Sequence, residues 1–449
     1  MSTVKAEFDA TANEEGPKPS AGGTVFSRLA KNVGWLVGAR GFTGILSIAY
    51  LAIAARALGP LKFGGWTLIL TYGQLIANLV QFQSWKGVIR FGALHIAEDR
   101  PDRLARLFGF TVTLDALSAV LGAAIAILGV PSVAPLLHWS IDQQHLAAIF
   151  GTFLLLVSGG TPAGMLRLFD RFDLIAYTEA VGPLVRLFGS ITAWAMGGGI
   201  LAFLIVWGLA ALSQTVAQWI AAIVTHGAKV SIGRRSFSKA LSENRRLWRF
   251  MVQTNFSTSL SLFWMQLGTL VVGAVAGPVE AGGFRIAQRL AKGIAKPIET
   301  ITRALYPELA HLVATNNHRI VRKILTRVTW IAAGLALVVV LIAGPGGREI
   351  LYLLAGRRFE FAHGFLFLLS IAAAIDLVGF ALEPFHNAHG RTGRVLRVRA
   401  IGALLYLITL AVLLPRMGAN GAAVAAIVAS LVIFIQLAFS AAQIVRKYD

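Results

Sequence analysis

Twelve apolar runs of membrane-crossing length follow one another along this chain, and no other feature restricts its fold as severely. Inside hydrocarbon every backbone N–H and C=O must be satisfied within the chain, so a run of about 20 apolar residues crosses as a helix. The runs lie near 32–57, 63–85, 106–130, 144–166, 174–195, 200–225, 250–275, 281–310, 327–344, 363–384, 396–414 and 419–445. The expected fold class is an all-α integral membrane protein with twelve transmembrane helices. Composition agrees, with 56% hydrophobic and 14% charged residues, where a soluble domain carries about a quarter charged. The windows at 174–195 and 281–310 each hold charges, and the even count depends on both. Residues 1–27 contain Glu7, Asp9, Glu14, Glu15, Pro17 and Pro19 and no apolar stretch. They are expected to be a disordered cytoplasmic tail without a signal-peptide core.

The net charge of +20 would point to nucleic acid if it sat on one soluble face. Here the cations punctuate hydrophobic runs, and no nucleic-acid partner is expected. Alternate connecting segments hold 28 of the 41 lysines and arginines, and the opposite segments hold 6. Cytoplasmic loops are the cation-rich ones, so both termini are expected in the cytoplasm. Seven cations remain inside the proposed spans: Arg40, Arg186, Arg285, Arg289, Lys292, Lys296 and Arg303.

A pattern recurs before the second and eighth helices. Gly59-Pro60-Leu61-Lys62-Phe63-Gly64-Gly65-Trp66 matches Gly277-Pro278-Val279-Glu280-Ala281-Gly282-Gly283-Phe284 at a shift of 218, and Met196-Gly197 matches Met417-Gly418 at a shift of 221. The chain therefore reads as six helices twice, a parallel repeat because six is even. The expected domains are an N-lobe at 28–225, a basic cytoplasmic linker at 226–249 and a C-lobe at 250–449. Transporters built this way place their substrate between the repeats.

At 100° per residue, Arg285, Arg289, Lys292, Lys296, Glu299 and Arg303 share one stripe of helix eight about 27 Å long, close to the hydrocarbon thickness of about 30 Å. Five cations facing lipid would cost on the order of 10 kcal/mol, so the stripe is expected to face water or an anion. Lys296-Pro297 is expected to kink this helix. The competing reading is an amphipathic helix lying on the anionic cytoplasmic leaflet, but it would reverse the sidedness of every later loop. A shift of 218 maps the stripe onto Thr67, Thr71, Gln74, Asn78 and Gln81 of helix two. Cations on one wall with amides and hydroxyls on the other suit an anionic, hydroxyl-rich ligand such as a sugar phosphate. For the helix-two residues, interhelical hydrogen bonding is the competing role. Arg40 offers a bidentate phosphate contact from the other lobe, against a role capping carbonyls or pairing with an acid.

Among the acids, Asp115, Glu179 and Asp376 are candidates to bind a coupling proton or sodium ion. Glu179 lies two turns from Arg186, and Glu383, before Pro384, reads as a solvated helix end. With no cysteine, thiol and Cys-ligated metal chemistry are excluded. The sequence contains no phosphate-binding loop of ATPases, no nucleophile elbow and no histidine spacing suited to a metal. No cofactor, metal or enzymatic activity is expected. A glycan polymerase or ligase would need a long periplasmic loop, and the longest such segment is 345–362.

Four motifs at helix ends carry a family resemblance: Arg56-Ala57-Leu58-Gly59-Pro60 with Phe63-Gly64; Gly164-Met165-Leu166-Arg167 with Arg171-Phe172-Asp173; Leu305-Tyr306-Pro307-Glu308-Leu309; and Asn387-Ala388-His389-Gly390-Arg391. From residue 28 onward the chain resembles the polysaccharide flippases of the multidrug/oligosaccharidyl-lipid/polysaccharide exporter superfamily. The resemblance implies movement of an undecaprenyl-pyrophosphate-linked oligosaccharide from the cytoplasmic to the periplasmic leaflet, for O-antigen or exopolysaccharide assembly. It implies membrane lipids and other glycan-assembly proteins as partners, and proton or sodium coupling. Arg40, Arg285, Arg289, Lys292 and Lys296 would then hold the pyrophosphate, with Arg303 drawing it to the cytoplasmic mouth. The alternative is a cation-coupled multidrug or small-molecule exporter of the same superfamily.

Overall fold

The computed structural model describes the backbone of residues 23–156, 160–226, 230–315 and 317–445. Side chains are described within those ranges except at 23–40, 42, 226, 257–258, 260–265, 294–304, 306–308, 310–311, 314 and 318. The described residues form helices joined by short turns, with no strand among them. Each of the twelve apolar windows coincides with a helix or a broken pair of helices.

Helices one and two are one continuous element, α1 (Gly23–Val80), bent at Gly59, whose φ of 69° and ψ of 171° are not helical. Then come α2 (Ser84–Ala97), α3 (Pro101–Leu128), the one-turn α4 (Val130–Val133), α5 (Ile141–Phe153), α6 (Gly160–Leu168), α7 (Phe172–Ala195) and α8 (Ile200–His226). The linker carries α9 (Arg234–Glu243). The second half runs through α10 (Leu247–Ala276), α11 (Pro278–Ala314), α12 (His318–Ala343), α13 (Gly347–Ala355), α14 (His363–Val378), α15 (Leu382–Ala388), α16 (Thr392–Met417) and α17 (Ala419–Val445). Nine spans among the described residues are long and apolar enough to cross a bilayer. On α3, Leu117, Val120, Leu121 and Leu128 are exposed while Leu114, Ser118 and Gly122 point inward. An apolar exterior of this kind is what lipid as solvent requires.

The repeat appears in the backbone. Gly277 (φ 89°, ψ 173°) has nearly the geometry of Gly59, and Gly197 and Gly418 share φ values of 67° and 57°. These left-handed conformations cost a glycine little. The two double-glycine motifs then cross face to face. A Cβ on Gly64 would fall inside the Pro278 carbonyl, and one on Gly282 would lie 3.1 Å from the Gly64 Cα. Around this crossing Phe63 and Phe359 are fully buried, their rings edge to face at 5.5 Å. Arg56 donates to the carbonyls of Tyr352, Leu353 and Leu354 at the end of α13, where the helix dipole favours a cation. Glu280 accepts from the Ala419 N–H at 2.5 Å, placing a carboxylate at the start of α17.

Three windows read as continuous are interrupted. Helix two stops at Val80 and restarts at Ser84, helix four passes into a 3-10 turn at Leu154–Leu156 and is helical again from Gly160, and helix ten breaks between Val378 and Leu382. Asp115 joins the first two breaks. Its carboxylate accepts from the Ser84 hydroxyl, from the Thr161 N–H at 2.9 Å and from the Thr161 hydroxyl at 2.7 Å. The linker is likewise more than a basic loop. Phe237, Ala240 and Leu241 of α9 pack on Leu107, Phe110 and Leu114, and Glu243 pairs with Arg106 at 2.7 Å. The expected tail lies, over residues 1–22, outside the described residues.

Candidate functional site

Helix eight, α11, is surrounded by protein. It packs on α1, α10, α14 and α15, meeting helix one near Gly293, where an added Cβ would lie 3.4 Å from Ile48, and helix two through Phe63. Its cationic stripe therefore starts between the two halves of the chain. Arg285 is half-buried. It donates to the Gln266 Oε1 of α10 at 3.1 Å and to the Gln74 Oε1 of helix two at 3.4 Å. The Gln266 amide closes the triangle by donating to the same Gln74 oxygen at 3.2 Å. Amide oxygens solvate a guanidinium without cancelling its charge, and no described carboxylate pairs with it. Arg289 and the phenol of Tyr50 on helix one both lie within electrostatic reach of Arg285.

Arg289 lines a crevice with Ile48, Leu51 and Ala52 of helix one and Leu354 and Ala355 of α13. Lys292 is exposed and acts on Asp376 of α14, which is also exposed and hydrogen-bonds Ser430 of α17. The side chains of Arg40, Lys296, Glu299 and Arg303 lie outside the described residues. α11 is helical from Pro278 to Ala314, Lys296-Pro297 included.

On helix two the mapped residues divide. Gln74 meets Arg285. Thr67 and Thr71 are buried in packing, 1% and 0% exposed, and the Thr71 hydroxyl donates to the Thr67 carbonyl at 2.7 Å. Asn78 is half-buried and its carbonyl accepts from Ser259 of α10 at 2.7 Å; Gln81, also half-buried, lies in the break itself. The acids divide too. Asp115 is 5% exposed with both oxygens engaged. Glu179 pairs with Arg167 at 3.4 Å, so it is not the partner of Arg186. Glu383 pairs with Arg399 at 2.5 Å.

Arg186 belongs to no site expected from sequence. The structure sets its guanidinium between the rings of Tyr50, 5.9 Å away, and Trp207, 5.5 Å away. Gln266 was also missed, although a glutamine inside an apolar run is a visible signal. Arg171 and Asp173, at the turn into α7, form a two-pronged pair at 3.0 and 2.9 Å. That hydrogen bonding holds the Arg171 guanidinium above its ordinary value.

With its all-helical fold and apolar spans, the chain is a multi-pass membrane protein of the multidrug/oligosaccharidyl-lipid/polysaccharide exporter superfamily, whose members are transporters and flippases rather than enzymes. The family model described as polysaccharide biosynthesis protein matches residues 29–313, well over half of the chain, and the chain belongs to that family. A second model, MatE, matches residues 254–413. Inner membrane protein YghQ of Escherichia coli (strain K12) is 28% identical over 345 residues, 74% of this chain and 94% of that one. Among solved structures, a multidrug resistance MATE family transporter in an inward-facing conformation has a TM-score of 0.68 at 14% identity, covering 92% of this chain and 95% of that one. The lipid II flippase MurJ in an inward closed conformation scores 0.66 at 13% identity, covering 90% and 87%. At these identities the likeness is one of fold.

Proposed function

We propose that this chain is a flippase that carries a lipid-linked oligosaccharide of the undecaprenyl-pyrophosphate type across the bacterial inner membrane by alternating access. The lobes are 28–225 and 250–449, rocking about the linker 226–249. The observation that carries the reading is Arg285, a guanidinium at membrane depth that touches amides from both lobes and meets no described carboxylate. Such a charge is costly until an anion arrives, and a diphosphate supplies one in a form that guanidinium forks match. Arg289 and Lys292 extend the contact, with Lys296, Arg303 and Arg40 completing it toward the mouth. Gln74, Asn78 and Gln81, with Thr67 and Thr71 behind them, form the sugar side. Coupling to protons or sodium runs through Asp376, the acid left exposed beside the stripe, since Asp115 and Glu179 are already engaged.

The cation excess puts both termini, and the mouth near Arg303, in the cytoplasm. The end sealed by Arg56 and the crossed glycines then faces the periplasm. Because the chain lacks cysteine, single introduced thiols report sidedness cleanly. In spheroplasts, an impermeant maleimide is expected to label Met196→Cys directly and Lys239→Cys only after permeabilisation; the reverse order overturns the orientation.

The MatE match over 254–413 favours a second reading, a cation-coupled exporter of small molecules. One experiment separates the two. Arg289→Gln with Lys292→Gln removes two charge-assisted contacts, together about 3 kcal/mol, roughly a hundredfold in rate. Surface glycan is expected to fall by that factor with drug resistance unchanged. Intact glycan with lost resistance establishes the exporter instead.

A further inference from the structure

Arg186 lies 14 residues into α7 and nine from its end at Ala195, which places it near the middle of a span, roughly 13–21 Å from either end at 1.5 Å per residue. A cation at that depth calls for a counter-charge, and none is within reach among the described residues. Asp173 is held by Arg171 and Glu179 by Arg167. The Nε atom of Arg186 is buried and makes no hydrogen bond. Its stabilising neighbours are two aromatic rings, Tyr50 on helix one and Trp207 on α8. Cation–π contact of this kind strengthens on desolvation, and it leaves Nε without a hydrogen-bond partner among the described residues. The side chain thus turns toward helix one and away from lipid.

Arg285, from the opposite half of the chain, also lies within electrostatic reach of Tyr50. Two guanidiniums from different lobes therefore approach one phenol, Arg186 over its ring and Arg285 within electrostatic reach of it, and neither pairs with a carboxylate among the described residues. We propose that Arg186 is the N-lobe's diphosphate-binding residue, facing Arg285 across Tyr50, so that one diphosphate group bridges the two lobes. The inference rests on the flippase reading and adds to it the residue by which the N-lobe grips the anion. A diphosphate has two phosphoryl groups, one for each fork. The Tyr50 hydroxyl supplies a further donor between them. Binding then favours the arrangement in which helices one, five and eight stand close, which links substrate to lobe movement.

The competing role for Arg186 is an anchor that holds α7 against helices one and six through its rings. Equilibrium binding to the full purified chain distinguishes the two, with farnesyl diphosphate, inorganic pyrophosphate and farnesol as separate probes. Wild type is expected to bind both diphosphates and not farnesol. Arg186→Lys keeps the charge and the ring contacts but loses the fork, and binding is expected to weaken about tenfold. Arg186→Met is expected to lose more, and Tyr50→Phe, which keeps the ring, weakens binding severalfold. If Arg186→Met fails to fold, the lysine and phenylalanine variants decide. Wild-type affinity in Arg186→Lys and Tyr50→Phe, with binding lost in the Arg289→Gln, Lys292→Gln pair, overturns the role of Arg186 and leaves the flippase reading standing. Absence of diphosphate binding in wild type overturns both. Tight binding of inorganic pyrophosphate with none of the farnesyl form assigns the site to a free anion and also overturns the lipid-linked reading.

Discussion

Replacing Gly64 by leucine is expected to abolish surface-glycan export while leaving the protein folded in the membrane. The reason is the crossing of the two repeat motifs. A Cβ at Gly64 meets the backbone carbonyl of Pro278, and the neighbouring approach of Gly282 leaves no room to slide. Backbone cannot rotate away as a flexible side chain can. Overpacking in a well-filled interior costs about 1–3 kcal/mol, and more against a fixed carbonyl. Each ~1.4 kcal/mol by which the clash disfavours the sealed arrangement lowers its population tenfold relative to the parted one, and about 5.5 kcal/mol turns 99:1 into 1:99. The clash lies between halves of the chain and is relieved by parting them, so the melting temperature of the purified protein should change little. Gly64→Ala should already reduce export. Export at the wild-type level in Gly64→Leu, measured by surface glycan, would show that the crossing is not part of the transport cycle.

Arg285→Met is the second large expectation: export lost by about a hundredfold or more with stability unchanged within about 1 kcal/mol. The two effects separate for a physical reason. When Arg285 is removed, Gln74 and Gln266 still hydrogen-bond each other at 3.2 Å, so no buried amide is orphaned. Replacing a buried charge by an apolar side chain of similar length is often neutral or stabilising. Anion binding has no such substitute. A variant that melts well below wild type, with export reduced only in proportion to its abundance, would make Arg285 a structural residue.

The positions of the helices were readable in the chain because hydropathy reports the solvent, and the solvent here is lipid. The repeat was readable because left-handed backbone at Gly59 and Gly277 demands the same residue type twice. The breaks at 81–83 and after Phe153 were not, since an interruption leaves average hydropathy unchanged; it is stabilised by Asp115, distant in sequence from both Ser84 and Thr161. The helix in the linker did carry a signal, apolar residues at 237, 240 and 241, obscured by its surrounding cations. Of the site, the stripe on helix eight and the polar row of helix two were legible from periodicity and the 218-residue shift, while the meeting of Arg285 with Gln74 and Gln266 was not. Nor was the position of Arg186. Its neighbours come from helices one and six, and no local spacing encodes a contact between residues 50, 186 and 207.

Proteoliposomes carrying a fluorescent glycosyl polyprenyl diphosphate on one leaflet test the central claim most directly. The purified chain is expected to equilibrate this lipid between leaflets, to leave the corresponding glycosyl polyprenol where it started, and to lose the activity in Arg285→Met. Equal movement of the diphosphate and the uncharged lipid, or undiminished flipping by Arg285→Met, would contradict the assignment of the intramembrane cations to phosphate recognition.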